Sequence, residues 1–125
     1  MEIISTKEAP AAIGPYSQGI ITTGKIAFLS GQIAIDPSTG QMVGGGIEAE
    51  TKQVMKNIGA LLTAAGVNYG RIAKSTIFLK NFNDFAKVNE IYGSFFEHPL
   101  PARSTVEVAR LPKDALIEIE CIVSL

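Results

Sequence analysis

An α+β fold, with two helices packed on one face of a mixed β-sheet, is predicted by three features of the 125-residue sequence. Apolar residues alternate with period two near both ends of the chain. Two internal segments change to a spacing of three and four. Glycine- and proline-rich stretches separate these runs. The order reads β, β, α, β, α, β, β in one domain spanning residues 1–125, a length at which one chain buries a sizeable core.

The first strand-forming run is "IIS" at 3–5, followed by a Pro/Ala/Gly segment. "YSQGIIT" and "IAFLSGQIAI" then flank a Thr-Gly-Lys turn at 23–25, the pattern of a hairpin. "DPSTGQMVGGG" at 36–46 reads as loop, because Asp-Pro, Thr-Gly and three successive glycines favour turns. Over residues 47–65 the apolar positions Thr51, Val54, Met55, Ile58, Leu61, Leu62 and Ala65 mark one side of a helix. Glu48, Glu50, Lys52, Lys56 and Asn57 fall mostly on the other. Gly66 supplies the stop. Gly59, inside this helix, costs about 1 kcal/mol against alanine, which implies close approach to a neighbouring sheet.

Residues 72–80, "IAKSTIFLK", alternate as a strand, with Ile77 and Leu79 opposite Thr76, Phe78 and Lys80. Residues 83–97 read as a second helix with Phe85, Val88, Tyr92 and Phe95 or Phe96 on its apolar side, Asn83 as its cap, and His98-Pro99 as its end. "ARSTVEVARLPKDALIEIE" then closes the chain as a hairpin turning at "RLPKD". Several strands carry apolar residues on both alternation phases, so the face without helices calls for a partner surface, most economically a second copy of the chain.

Composition narrows the function. With 46% hydrophobic and 18% charged residues and a formal net charge of −1, the chain has no block of basic residues for nucleic acid or anionic lipid. The N-terminus has neither a basic region nor a sustained apolar stretch of a signal peptide, and no apolar run reaches bilayer length; a cytoplasmic protein without membrane contact is expected. The single cysteine, Cys121, alternates with Ile119 and Val123 and reads as a small buried hydrophobe. One histidine and one cysteine make no metal signature, the Gly44–Gly46 run lacks the Lys-Ser/Thr of a phosphate loop, and Ser17, Ser30 and Ser104 lack a nearby histidine.

The last segment carries chemistry. Arg103, Thr105 and Glu107 share one strand face; Glu118 and Glu120 oppose the apolar Ile117, Ile119, Cys121 and Val123. Pairing the two strands as a hairpin gathers one guanidinium and three carboxyls on a common polar face. Spacing alone also fits a solvated face with ordinary ion pairs. An arginine fork, however, matches a carboxylate with two hydrogen bonds, and neighbouring carboxyls disfavour joint ionisation, which suits one of them to proton transfer. The pair points to a small acidic substrate with a glutamate over the reacting carbon.

"PARSTVEVARLPKDALIEIE", with "GPYSQG" at 14–19, "SGQI" at 30–33 and "FNDFAKVNEIY" at 82–92, resembles the RidA (YjgF/YER057c/UK114) family of reactive-intermediate deaminases over essentially the whole chain. The resemblance implies a chorismate-mutase-like fold and a homotrimer around a central barrel-like core with intersubunit clefts. The implied activity is cofactor-free, metal-free hydrolysis of enamines and imines such as 2-aminoacrylate and 2-aminocrotonate to 2-oxo acids and ammonia. By motif position, Arg103 holds the substrate carboxylate, Glu118 handles water with Glu120 as its rival, and Tyr16 lines the cleft from the adjoining subunit. Ser30 and Gly31 contribute polar and backbone groups, Phe85 and Asn89 shape the ligand site, and Thr105 offers backbone hydrogen bonds where many members carry cysteine. Tyr16 packing on its Pro15 turn and Phe85 serving as helix core remain open readings. The alternatives are a non-enzymatic binder or sensor of small 2-oxo acids, and an endoribonuclease or translation inhibitor. The net charge and the lack of a visible arginine-aromatic platform speak against the latter.

Overall fold

The computed structural model describes residues 1–125. Its strands are β1 (Glu2–Ile4), β2 (Gly19–Ile21), β3 (Ile26–Gln32), β4 (Ile35–Asp36), β5 (Gln41–Met42), β6 (Ile72–Leu79), β7 (Ala102–Glu107) and β8 (Ile117–Ser124); the helices are α1 (Gly46–Ala64) and α2 (Phe85–Gly93). β6 and β8 occupy the centre of the main sheet, whose order is β3-β8-β6-β7. Their composition suits that place: every second residue is fully buried and the intervening ones are mostly half-covered. All neighbours are antiparallel except β6 and β7, which run parallel.

α1 starts after Gly45, at φ 105°, and ends before Gly66, at φ 78°, both left-handed conformations that a residue with a Cβ resists. Its Val54, Met55, Ile58 and Leu62 pack with Val88 and Tyr92 of α2 onto Ile77, Leu79, Ile117, Ile119 and Val123 of the sheet. All of these are at most 1% exposed, and each large aliphatic side chain contributes about 1.5–3 kcal/mol by leaving water. Glu50 ties α1 to the entry of β8 by accepting from the Leu116 backbone N–H at 3.0 Å. No helix is long and apolar enough to cross a membrane.

The α+β class and the one-sided helices follow the sequence reading; several connections do not. β2 pairs with β1 rather than β3, which bonds only β8; the segment before β2 is held at β7 instead, Ser17 bridging Ala102 and donating its N–H to the Pro101 carbonyl at 2.9 Å. Part of the glycine-rich loop at 36–46 forms the small β4–β5 hairpin, turned by Gly40 at φ 71°. The second helix is shorter than its periodicity suggests: a 3₁₀ turn at Phe82–Asp84 precedes it, and Asn81, not Asn83, caps that turn by accepting from the Asn83 N–H at 2.9 Å. Gly59 makes its close approach to Tyr69 rather than to a strand, since a Cβ there would lie 3.0 Å from Tyr69 Cζ.

The largest difference is at the C-terminal end. β7 and β8 are not a hairpin; β6 lies between them. β6, α2 and β7 form a parallel crossover unit, in which the intervening helix returns the chain to the same end of the sheet. The segment after β7 then carries β8 past β6 to the inner position. On the far side of the sheet Phe28 is 76% exposed and Val106 and Ile26 are also open to solvent, so the apolar residues anticipated on both phases lie on an uncovered surface.

Candidate functional site

Strand register decides which candidate residues can meet. Arg103 lies opposite Ser75 and Thr105 opposite Ile77 on β6, while Ser75 and Ile77 lie opposite Cys121 and Ile119 on β8. Odd-numbered residues of all three strands therefore share the helix-covered face. Glu118 lies opposite Phe78 and Glu120 opposite Thr76, which puts both on the other face with Ser104 and Val106. The expected gathering of one guanidinium and three carboxyls on a common face is thereby overturned. It presumed direct pairing of β7 with β8, polar side against polar side, whereas the real register runs through β6 and matches Arg103 to the apolar side of β8.

On the helix side the Arg103 guanidinium is boxed by aromatic rings. Its Cζ is 5.4 Å from the ring centroid of Tyr16, 5.7 Å from that of Phe85 and 5.3 Å from that of Tyr92. Cation–π contacts of this kind are worth about 0.5–2 kcal/mol each and leave the charge intact. No carboxylate of the chain forms an ion pair with Arg103. Burial works against its charge and lowers its pKa from the ordinary guanidinium value, with the Tyr92 and Tyr16 hydroxyl groups acting the other way. Glu107, on the same face, is engaged elsewhere: it accepts from the Phe82 N–H at 2.9 Å, fixing the turn that leads into α2.

Each wall of this box has a local cause. Tyr16 sits in a tight loop closed by its own N–H on the Gly14 carbonyl at 2.8 Å, and its ring packs on Arg103 of its own chain. Phe85 is braced by Phe82, whose ring stacks on it at 4.8 Å and 11°. Tyr92 is fully buried and donates to Ser75 Oγ at 2.9 Å, and Ser75 Oγ in turn contacts Cys121 Sγ at 3.7 Å. Burial holds the Tyr92 hydroxyl well above its ordinary pKa and pushes the Cys121 thiol up to about 11. Cys121 is thus the buried hydrophobe its spacing suggested. Asn89 belongs to the same stripe of α2, four residues after Phe85 and three before Tyr92.

The second group of residues lies across the sheet. A register shift interrupts the β3–β8 pairing between Leu29 and Gln32, and Gly31 sits within it. A Cβ on Gly31 would fall 2.5 Å from Glu118 Oε2 and 2.7 Å from its Cδ, so the Glu118 carboxyl occupies space that only glycine leaves free. Ser30 and Glu120 are exposed nearby, Ser30 with its carbonyl accepting from Gln32 Nε2 at 3.2 Å. Tyr16 borders a cleft of about 670 Å³ against the N-terminal segment, and Gly31 borders another of about 420 Å³ beside Asn57. Arg103 and Glu118 line neither one.

The sequence reading thus named Tyr16, Phe85, Asn89, Arg103 and Thr105 on one side and Ser30, Gly31, Glu118 and Glu120 on the other. It missed Tyr92, taken only as core, and it missed that three rings enclose the arginine. The signal was present in the spacing: Phe85, Asn89 and Tyr92 are i, i+4 and i+7 on one helix.

A family model described as Endoribonuclease L-PSP matches residues 6–125. The 2-iminobutanoate/2-iminopropanoate deaminase of Mus musculus is 48% identical over 121 residues, covering 97% of this chain and 89% of the mouse protein. The solved structure of the YjgF gene product from E. coli superposes with a TM-score of 0.76 at 49% identity, covering 99% of this chain and 98% of the other. The structure of E. coli TdcF with bound serine gives a TM-score of 0.77 at 43% identity, covering 100% and 99%.

Proposed function

The chain belongs to the Endoribonuclease L-PSP family, and from that premise we propose that it hydrolyses small 2-imino and 2-enamino acids to 2-oxo acids and ammonia. One observation carries this reading: a half-buried guanidinium, enclosed by three rings, with no carboxylate of its own chain to neutralise it. Such a group attracts an anion, and its planar fork suits a carboxylate. The name of the mouse relative and the serine bound by the E. coli relative support a small amino-acid-derived ligand.

In this reading Arg103 grips the substrate carboxylate, and Tyr16, Phe85 and Asn89 shape the space around it. Thr105 offers its backbone and hydroxyl, as a member of the family without the frequent cysteine. Glu118 orients and deprotonates water; Glu120, more exposed, is its rival, and Ser30 and Gly31 bound that side. Because Arg103 and Glu118 face opposite ways, a working site takes the arginine from one protomer and the glutamate from the next. A homotrimer of the chorismate-mutase-like kind, with the uncovered sheet faces forming its central barrel, supplies that arrangement.

The chemistry balances within these groups. The water oxygen bonds to the imine carbon, the C=N electron pair moves to nitrogen, and nitrogen takes a proton. The hydroxyl proton of the tetrahedral carbinolamine then passes to its amino nitrogen, the C–N bond breaks with its electron pair on nitrogen, and ammonia leaves a 2-oxo acid. The imine carbon is already electrophilic, so the step draws on no metal or organic cofactor. General acid–base assistance contributes about 10²- to 10⁴-fold, enough to outpace spontaneous hydrolysis.

The test is ammonia release in an assay coupled to a dehydratase that generates the enamine. Wild-type protein accelerates release, Arg103→Ala abolishes the acceleration while the protein stays folded, and Glu118→Gln keeps affinity for 2-oxobutanoate but loses turnover. A wild-type protein that binds 2-oxobutanoate without accelerating release is a binder, and the enzyme reading falls. RNA cleavage, which the family description names, is disfavoured by the net charge of −1 and by an arginine too enclosed to stack bases. Salt-sensitive RNA affinity of the purified protein reverses that judgement.

A further inference from the structure

We infer that Asn89 is a positioning residue for Arg103: its neutral amide oxygen accepts from the guanidinium and orients it without discharging it. The inference rests on Arg103 being the carboxylate anchor.

Three buried side-chain polar atoms in the chain lack a hydrogen-bond partner: Asn89 Oδ1, Arg103 Nη1 and Thr105 Oγ1. They belong to one locality. Thr105 follows Arg103 by two residues on the same strand face. Asn89 stands between Phe85 and Tyr92 on a helix stripe whose two flanking rings lie 5.7 and 5.3 Å from the guanidinium carbon. A buried polar group without a partner costs about 1–3 kcal/mol, and elsewhere the chain satisfies such atoms. Their chemistry is complementary. Arg103 Nη1 is only a donor, Asn89 Oδ1 only an acceptor, and the Thr105 hydroxyl can be either. A bond from Arg103 Nη1 to Asn89 Oδ1 would satisfy both atoms together, and the Thr105 hydroxyl suits either role beside them.

The choice of an amide matters. A carboxylate at position 89 would fix the guanidinium equally well but neutralise it, and the site would lose its attraction for an anion. Three rings and an amide constrain the fork while leaving its charge for the substrate; Nη2 lies beside Gly14, where a Cβ would fall 3.6 Å away.

Asn89→Leu, of similar volume, tests this. Removing a buried unmatched oxygen leaves the melting temperature unchanged or higher, so a purely structural role predicts no loss of binding. The positioning role predicts that the Kd for 2-oxobutanoate and the KM for imine rise about tenfold with kcat within about threefold. In an Arg103→Ala background, measured by NMR titration at millimolar ligand, Asn89→Leu changes the residual affinity by less than about twofold, because the residue acts through the arginine. Asn89→Asp weakens binding at least as much as Asn89→Leu. The Arg103 Nη resonances, distinct in wild-type protein with 2-oxobutanoate, merge in Asn89→Leu as the guanidinium regains rotation. Wild-type affinity in Asn89→Leu, or an equal penalty with and without Arg103, overturns the positioning role while Arg103→Ala still abolishes turnover. If Arg103→Ala leaves activity unchanged, the functional reading fails and the inference with it.

Discussion

Arg103 and Glu118 turn to opposite faces of one sheet, the first registered on Ser75 and the second on Phe78 of the strand between them. A small acid held by one cannot touch the other within a single chain. If both groups act on one molecule of substrate, they come from different protomers. Arg103→Ala and Glu118→Gln are then each inactive alone, yet mixing them by co-refolding or subunit exchange restores activity. Random mixing in equal amounts rebuilds about a quarter of the sites, since each intact site needs its arginine and its glutamate from the two different variants. Ammonia release by the mixture is the measurement, and activity no higher than that of the separate variants rules the shared site out.

Gly31 is matched to Glu118. A methyl group at position 31 would collide with the glutamate side chain, at 2.5 Å from Oε2, 2.7 Å from Cδ and 3.0 Å from Cγ, its three nearest atoms. The far end of a side chain yields easily, so Gly31→Ala shifts the carboxyl and not the fold. The expected outcome is a melting temperature within a few degrees of wild type and a kcat reduced at least about tenfold, which is the loss typical of a misplaced general base. An active Gly31→Ala protein removes Glu118 from the water-handling role and favours Glu120.

The periodicity of residues 47–65 and 72–80 made α1 and β6 legible because their burial is one-sided or strictly alternating. Arg103 and Glu118 were legible as chemistry because an arginine and an acidic residue interrupt otherwise packable strands. Their relation was not, since which strand lies beside which is settled by long-range pairing. β7 and β8 are close in sequence, but β8 pairs with both β3 and β6, and a central strand with two partners outweighs a local hairpin with one. Tyr92 was hidden for a related reason: a fully buried aromatic reads as core until the strand residue packed against it is known to be charged.

Cys121 sets an alkaline limit to stability. Burial raises its thiol from the ordinary 9.0 to about 11, so the folded state holds this proton more tightly than the unfolded chain. The sign follows: the contribution is complete below pH 9 and is lost as pH rises toward 11, at about 1.4 kcal/mol per pH unit at most. Cys121→Ala removes this slope whatever its effect at neutral pH. Urea unfolding across pH 8 to 11 measures it; Tyr92 and Tyr69, also raised by burial, leave a further decline above pH 10 in both proteins. Equal slopes for wild type and Cys121→Ala would contradict the assigned origin.

Phe28 tests the assembly independently of catalysis. It lies opposite Ile122 on the face away from the helices, 76% exposed, near the open Ile26 and on the face that also carries Phe78 and Val106. Burying one such ring between subunits is worth about 1.5–3 kcal/mol, and threefold repetition multiplies the effect. A carboxylate in its place stays hydrated on a free protomer but is desolvated beside Glu118 and Glu120 in a closed barrel. If this face closes the proposed trimer, Phe28→Glu leaves circular dichroism and monomer folding intact and gives a monomer in light scattering where wild type is trimeric. Activity falls with it if each site takes its glutamate from a neighbouring protomer. A Phe28→Glu protein that remains trimeric places the subunit contact elsewhere on the chain.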